Sequence, residues 1–160
     1  MLIRPAEDAD DAAIWRVLEP TIRAGETLML PPQMDQVAAV SYWRQPSHHA
    51  FVLEESSGVL GAYYLRANQQ GHGSHVANCG YATGSWAAGR GIARAMCLHS
   101  LEEARARGFV SMQFNCVVAT NERAVGLWQS CGFEVVGRVP ETFRHPRLGY
   151  VDTLVMYRRL

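Results

Sequence analysis

Residues Gly80–Leu101, GYATGSWAAGRGIARAMCLHSL, decide how this chain folds. The segment predicts a β-strand that runs into a tight turn and then directly into an amphipathic helix. Gly89 and Gly91 lack a Cβ, so the backbone adopts a positive φ at low cost and a ligand can approach it closely. The first turn of the helix adds free N–H groups and the positive end of the helix dipole. We therefore interpret the turn as a phosphate or pyrophosphate site, with a helix that merely begins with two glycines as the alternative.

The residues present argue against two common classes of phosphate-binding loop. A Walker loop requires a lysine, and the chain contains none. A dinucleotide site requires Gly-x-Gly-x-x-Gly and an acidic residue about 20 residues further on. Here Arg94 stands in place of the third glycine, and Glu102 and Glu103 lie within the predicted helix. Neither a P-loop nucleotide nor a dinucleotide is therefore the expected ligand.

The composition is that of an ordinary soluble globular protein. The 160 residues are expected to form one domain over 1–160, with 48% hydrophobic and 19% charged side chains. Fifteen arginines balance fifteen acidic residues, and this zero net charge argues against nucleic acid or an anionic membrane as a partner. The first residues, MLIRPAED, lack the apolar segment of a signal peptide, so we expect a cytoplasmic protein.

The spacing of cysteine and histidine predicts no metal site. The four cysteines form no Cys-x-x-Cys pair, and in a reducing compartment they predict buried free thiols. They are Cys79, Cys97, Cys116 and Cys131. The pairs His48–His49 and His72–His75 are able to bind a stray metal, but their polar surroundings favour solvated loop histidines.

Hydrophobic periodicity and turn residues predict seven strands and four helices. The strands are predicted over 2–4, 50–54, 60–67, 75–83, 109–118, 133–138 and 150–157. The helices are predicted over 8–23, 35–44, 89–107 and 121–131, and Gly108 is expected to end the third. A loop that contains Pro140 and Pro146 separates the last two strands. This order predicts a mixed α/β sheet with helices on both faces.

A second motif follows at Asn121–Phe133, NERAVGLWQSCGF. Together with the element order, it resembles the GNAT acyl-CoA-dependent N-acetyltransferases over nearly the whole chain. The family's phosphate loop, Arg/Gln-x-x-Gly-x-Gly/Ala, stands here as AGRGIA at Ala88–Ala93, with both small positions matched and the leading residue replaced by alanine. The resemblance implies a seven-stranded GNAT-like sheet whose central parallel strands splay apart, and acetyl-CoA as the cosubstrate.

The family resemblance implies that the coenzyme lies between the splayed strands 75–83 and 109–118. The pantetheine arm is expected to bond to their unpaired backbone groups, and a backbone N–H of Gly80, Tyr81 or Ala82 to stabilise the oxyanion. The alternative for Gly80 is a packing or bulge glycine. No metal ion is expected. The implied coenzyme-binding residues are Ala82, Thr83, Gly89, Arg90, Gly91, Ile92, Ala93, Arg94, Asn121 and Trp128.

Both positions that usually transfer protons in this family hold residues without that ability. Asn78 stands where many relatives have a glutamate base, and Trp128 replaces the tyrosine that protonates the thiolate. Tyr81 and Tyr63 are the nearest phenols by strand position, with core packing as the alternative for each. If neither tyrosine transfers a proton, water does so, and catalysis depends on the positioning of the two reactants and on the oxyanion site.

Asn78 and Asn115 lie at corresponding depths on the two strands and form the predicted acceptor site. Amide side chains suit hydrogen bonds to a carboxylate or an amide, and cross-linking of the splayed strands is the alternative. Phe114–Asn121 and Gly132–Pro140 resemble, more narrowly, enzymes that N-acetylate proline analogues such as azetidine-2-carboxylate. This implies a small amino or imino acid as the acceptor. The tail Phe143–Asp152 is expected to shape the acceptor pocket or to form the contact of a homodimer.

Other acceptors and one other class of function remain open. In the alternative interpretations, the acceptor amine belongs to an antibiotic, a polyamine or a protein N-terminus rather than to a small amino or imino acid. The acceptor-side segments Gly25–Gln33 and Val139–Asp152 contain only three acidic residues, which disfavours a polycation. A non-catalytic acyl-CoA-binding sensor is the alternative from another class, because it would need neither an acid nor a base.

Overall fold

Seven strands and four helices follow one another along the chain, and the computed structural model describes all 160 residues. None of the four helices has the length and the apolar character needed to cross a bilayer. The strands are β1 (Leu2–Pro5), β2 (His49–Glu55), β3 (Gly58–Ala67), β4 (Val76–Thr83), β5 (Ser111–Val118), β6 (Glu134–His145) and β7 (Gly149–Arg159). The helices are α1 (Asp11–Ala24), α2 (Gln36–Trp43), α3 (Ile92–Ala106) and α4 (Glu122–Ser130).

All seven strands belong to one sheet, in the order β1-β2-β3-β4-β5-β7-β6. The neighbours β4 and β5 are parallel, whereas the other neighbouring strands are antiparallel. A tight turn cannot join parallel neighbours, and α3 makes the crossover between them. This arrangement confirms the predicted mixed seven-stranded sheet.

Helices cover both faces of the sheet, as predicted. On one face, α1 and α2 bury Ile14 and Trp43 against β3 and β4. On the other face, α3 and α4 form a larger core that includes Met96. The alternation of side chains along β3 supplies both cores, because Tyr64 points to the first and Tyr63 to the second.

The helix after the glycine turn begins at Ile92 rather than at Gly89. Gly89 and Gly91 have φ angles of 80° and 78°, which a right-handed helix does not accommodate. Gly91 is the residue that caps the helix. At the other end Gly108, with a φ of 83°, follows the last turn as predicted.

The predicted loop around Pro140 is wrong, because this residue lies inside β6. β6 continues to His145 and pairs with β7 on both sides of a register shift between Val139 and Phe143. The bulge accommodates Pro140, which has no N–H to donate to β7. Glu141 in the bulge has a φ of 54°, and its backbone N–H is bonded to the carboxylate of Asp152.

The central strands β4 and β5 are hydrogen-bonded at only one end. Val76 pairs with Ser111 and Ala77 with Met112, and no pairing between the two strands follows from Asn78 onward. This confirms the predicted splay of the central parallel strands. The inner edges of both strands are left without a neighbouring strand.

Gly80 is a packing glycine and not a bulge. The register between β3 and β4 is continuous through Gly80, which faces Tyr64. A Cβ at this position would lie 2.5 Å from a ring carbon of Tyr64. The ring has little room to withdraw, because it stacks on His48 at 4.0 Å and meets Trp43 edge-on at 4.9 Å.

Gly80→Ala is therefore expected to destabilise the protein by about 1–3 kcal/mol, the usual cost of overpacking a core. Urea denaturation measures the change in the free energy of unfolding. Gly126→Ala in α4 is the matched control, because nothing lies within 4 Å of its added Cβ and alanine favours a helix. Equal stability of Gly80→Ala and the wild type would show that the Tyr64 ring moves aside freely.

Candidate active site

A cleft of about 680 Å³ opens where β4 and β5 separate. One end, here called the turn end, is formed by most of the residues from Thr83 to Arg94 and by α4. The opposite end, here called the polar end, is lined by Tyr42, Tyr64, Arg66, Asn78 and Asn115. The two ends belong to one continuous space.

The turn end presents three backbone N–H groups that donate to no backbone carbonyl, those of Ile92, Ala93 and Arg94. They are the first residues of a helix of 15 residues, whose dipole adds positive potential. At Gly89 and Gly91, nothing lies within 4 Å of the place where a Cβ would stand. The turn is therefore an open cradle with the features of an anion site.

The arginines predicted to assist the turn point in different directions. Arg94 lines the cleft and donates from Nη1 to Ser130 Oγ at 2.8 Å. Arg90 does not line it, because its Nη2 is paired with the carboxylate of Glu55 at 2.6 Å, at the end of β2. The cleft contains instead Arg123, on the first turn of α4.

Only alternate N–H groups of β4 face the cleft. Backbone hydrogen bonds at both ends of this strand show that the N–H and C=O groups of its even-numbered residues point to β3. By alternation, the N–H of Tyr81 faces the cleft, whereas those of Gly80 and Ala82 point to β3. Within the predicted oxyanion region, Tyr81 therefore carries the available donor. Ala82 also has its side chain buried against α1 and α2, outside the cleft, while Thr83 lines the cleft.

Asn78 and Asn115 both line the cleft and are joined through Gln113. Asn78 Nδ2 donates to the Gln113 carbonyl at 2.9 Å, and Gln113 Nε2 donates to Asn115 Oδ1 at 3.0 Å. Asn115 Nδ2 donates to Asn68 Oδ1 at 2.7 Å, while Asn78 Oδ1 accepts from Arg66 Nε at 3.3 Å. Asn78 therefore cross-links the splayed strands, whereas Asn115 ties β5 to Asn68, the residue that follows β3, and each amide retains a second N–H hydrogen for a ligand.

The phenols considered as proton donors are committed to other partners. Tyr81 packs on Trp128 with ring centroids 4.9 Å apart, and its hydroxyl lies 2.6 Å from Ser100 Oγ. Burial raises the pKa of Tyr81 well above its ordinary value. Tyr63 is fully buried, and its hydroxyl lies 2.6 Å from His99 Nδ1. The core interpretation is therefore confirmed for Tyr63.

Several residues of the polar end were not predicted. Tyr64 and Tyr42 line it, with hydroxyl oxygens 3.3 Å apart. His48, predicted to be a solvated loop residue, is instead buried and stacked on Tyr64, and desolvation lowers its pKa. The alternation of side chains along a strand was a signal for Tyr64 and Arg66 as residues of the site. These two residues pair with Gly80 and Asn78 across β3 and β4, so their side chains share one face of the sheet with Asn78.

The wall of the cleft carries positive side chains and no negative ones. Its lining includes Arg66, Arg94 and Arg123, but no aspartate or glutamate. Cys116 also lines the cleft and is exposed, which corrects the prediction of four buried thiols. Cys116 lies within the register shift between β5 and β7, at Phe114–Val117.

The comparison with known proteins agrees with this geometry. Residues 15–133 match the model of the acetyltransferase (GNAT) family, a range that includes both predicted motifs. The chain belongs to this family. GNAT enzymes use acetyl-CoA, so the predicted class of enzyme and of acetyl donor is confirmed at the level of the family.

Individual relatives support the same assignment. A GCN5-related N-acetyltransferase from Kribbella flavida is 42% identical, with a TM-score of 0.93 over 99% of this chain and 97% of that one. The N-acetyltransferase aca1 of Schizosaccharomyces pombe is 32% identical over 104 residues, which are 64% of this chain. The aligned region spans only 50% of that curated relative.

Structural relatives include proteins that were solved with the coenzyme. A GNAT superfamily phosphinothricin acetyltransferase from Sinorhizobium meliloti, in complex with AcCoA, is 21% identical, with a TM-score of 0.86 over 99% of this chain and 88% of that one. At this identity the likeness shows the fold alone. The narrower resemblance to enzymes that N-acetylate proline analogues stays a prediction.

Gly91→Glu is expected to abolish CoA binding, because a carboxylate would stand at the free N–H groups of the turn. The fold should persist, since the added Cβ meets no atom within 4 Å. Isothermal titration with CoA measures the affinity. Gly108→Glu, at the other end of α3, is the matched control, because it has a similar φ of 83° and the same open space. Wild-type affinity in Gly91→Glu would place the phosphates elsewhere.

Proposed function

We propose that this protein transfers the acetyl group of acetyl-CoA to the amine of a small molecule, an amino or imino acid such as a proline analogue. The observation that carries the proposal is the continuity of the cleft. It connects the free N–H groups at the start of α3 with the amide network of Asn78 and Asn115. The acetyl donor would bind with its diphosphate at the turn end, and the acceptor would bind at the polar end. The two reactants would then meet between the splayed strands.

The turn end fits the coenzyme in shape and in charge. The free N–H groups of Ile92, Ala93 and Arg94 would bind the diphosphate, with the side chains of Arg94 and Arg123 adding positive charge. The cleft-facing backbone groups of β4 would bond to the pantetheine arm as an added strand does. Asn121 also lines this end, where its Oδ1 caps α4 by accepting from Ala124 N at 3.3 Å.

The chemistry requires a neutral amine and a stabilised oxyanion. Acetyl-CoA supplies an activated thioester. The N–H of Tyr81 is directed into the cleft, where it would donate to the oxygen that gains negative charge as the amine attacks. Because no carboxylate side chain lines the cleft, we propose that the amine loses its proton to water and that alignment of the two reactants supplies most of the rate.

The polar end supports an acceptor that carries a carboxylate. We propose that Asn78 and Asn115 contribute to this site, each with the amide N–H that its own hydrogen bond leaves free. A polyamine or an aminoglycoside carries several positive charges and would meet only arginine among the charged residues of the cleft. Less charged amine antibiotics and protein N-termini remain as other acceptors.

A second candidate function is an acyl-CoA-binding sensor without catalytic activity. Two observations favour it: no carboxylate lines the cleft, and the hydroxyl of Tyr81 is bonded to Ser100. The sensor would use the same turn end and the same coenzyme. It differs from the enzyme only in having no acceptor.

Acetyl-CoA and CoA are expected to raise the melting temperature, because a ligand that binds only the folded state stabilises it, by about 2.7 kcal/mol at 100 times the dissociation constant. Release of free thiol from acetyl-CoA, measured with a panel of small amines, then separates the two functions. An enzyme releases thiol with at least one amine, whereas a sensor shows the thermal shift alone. The lack of any shift at millimolar coenzyme would contradict both functions.

Asn78→Glu is expected to abolish the use of carboxylate acceptors and to spare neutral amines, because it adds a negative charge at the polar end. Asn78→Ala and Asn115→Ala should lower kcat/KM for a carboxylate acceptor by about 1–3 kcal/mol. The affinity for acetyl-CoA, measured by titration, should barely change in all three variants. Equal or higher activity of Asn78→Glu on a proline analogue would contradict the assignment and favour a purely structural role for Asn78.

A further inference from the structure

Arg66 occupies a position at the polar end that no sequence motif marks. It lies on β3 opposite Asn78 of β4, two residues after Tyr64, and these three side chains share one face of the sheet. All three line the cleft. Arg66 itself is half-buried.

The guanidinium of Arg66 is only partly used by the protein. Its Nε donates to Asn78 Oδ1 at 3.3 Å, whereas its two Nη atoms take part in no hydrogen bond or ion pair. Arg4, Arg44 and Arg90, by contrast, are each paired with a carboxylate. A guanidinium with free terminal N–H groups matches a carboxylate in two parallel hydrogen bonds.

No other charged side chain lines the polar end. The cleft lining contains no acidic residue, and its other two cations, Arg94 and Arg123, lie at the turn end. Burial raises the pKa of Tyr64, so this phenol is neutral. His48 packs behind the Tyr64 ring, and desolvation lowers its pKa, so it adds no second positive charge at neutral pH.

We infer that Arg66 binds the carboxylate of the acceptor and thereby selects amines that carry one, an inference that rests on the proposed function. Asn78 then acts mainly as a positioning residue, since its Oδ1 holds the guanidinium and its Nδ2 is anchored to the carbonyl of Gln113. In an amino or imino acid, one carbon separates the carboxylate from the amine. Fixing the carboxylate on Arg66 therefore also orients the amine within the cleft.

The test compares azetidine-2-carboxylate with its neutral carboxamide in the wild type, Arg66→Gln and Arg66→Lys. In Arg66→Gln, kcat/KM for the carboxylate should fall roughly 10- to 100-fold, mainly through KM. For the carboxamide it should change by less than about threefold. Arg66→Lys keeps the charge but loses the planar guanidinium that binds a carboxylate in two parallel hydrogen bonds. Its activity on the carboxylate should therefore lie between those of Arg66→Gln and the wild type. Arg105→Gln, which removes one exposed charge from α3, is the matched control.

Binding is measured separately, by titration of azetidine-2-carboxylate into the complex of each variant with CoA. Weaker binding to Arg66→Gln, with unchanged affinity for CoA, supports the inference even if no amine is acetylated, and in that case only the proposed function fails. Equal binding to Arg66→Gln and the wild type overturns the inference. So does the absence of binding to the wild type at high millimolar concentration. If Arg66→Gln does not fold, Arg66→Lys serves for the same comparison.

Discussion

The hydrogen bonding between β4 and β5 stops after Ala77, and the functional end of the protein depends on this interruption. Backbone groups at the centre of a sheet are almost always paired, so the groups that are freed here need water or a ligand. The wedge between the strands lies beside the turn that leads from β4 into α3, because that turn is the start of the crossover. The phosphate cradle and the open strand edges therefore face one space, and a long ligand with a charged head can use both.

Side chains take over where the backbone ladder ends. Asn78 reaches across the gap to the carbonyl of Gln113, and Asn115 is joined to the same residue and to Asn68. The bond from Asn78 to Gln113 holds the two strands together at the closed end of the wedge. The same amides line the cleft, so structural and binding roles are combined in one network. A substitution there must be judged by the affinity for CoA as well as by activity.

Much of the fold was predictable because its signals are local in the sequence. The glycine turn, the Asn121–Phe133 motif and the turn residues between strands each determine a structure within a few neighbouring residues. Other features depend on partners far along the chain. Arg90 leaves the cleft for Glu55, 35 residues away, and His48 is buried by an aromatic ring of β3. Arg66 was not predicted as a site residue because its importance depends on where the splay begins and on the absence of a nearby acid.

The bulge at Pro140 has a consequence for association between copies of the chain. β6 forms one free edge of the sheet, and β1 at the other edge has only four residues. Pro140 offers no N–H, and the bulge around it breaks the row of donors and acceptors that an incoming strand would need. A homodimer through Phe143–Asp152 stays a prediction. Both edges are thereby protected against the edge-to-edge growth of sheets that leads to aggregation.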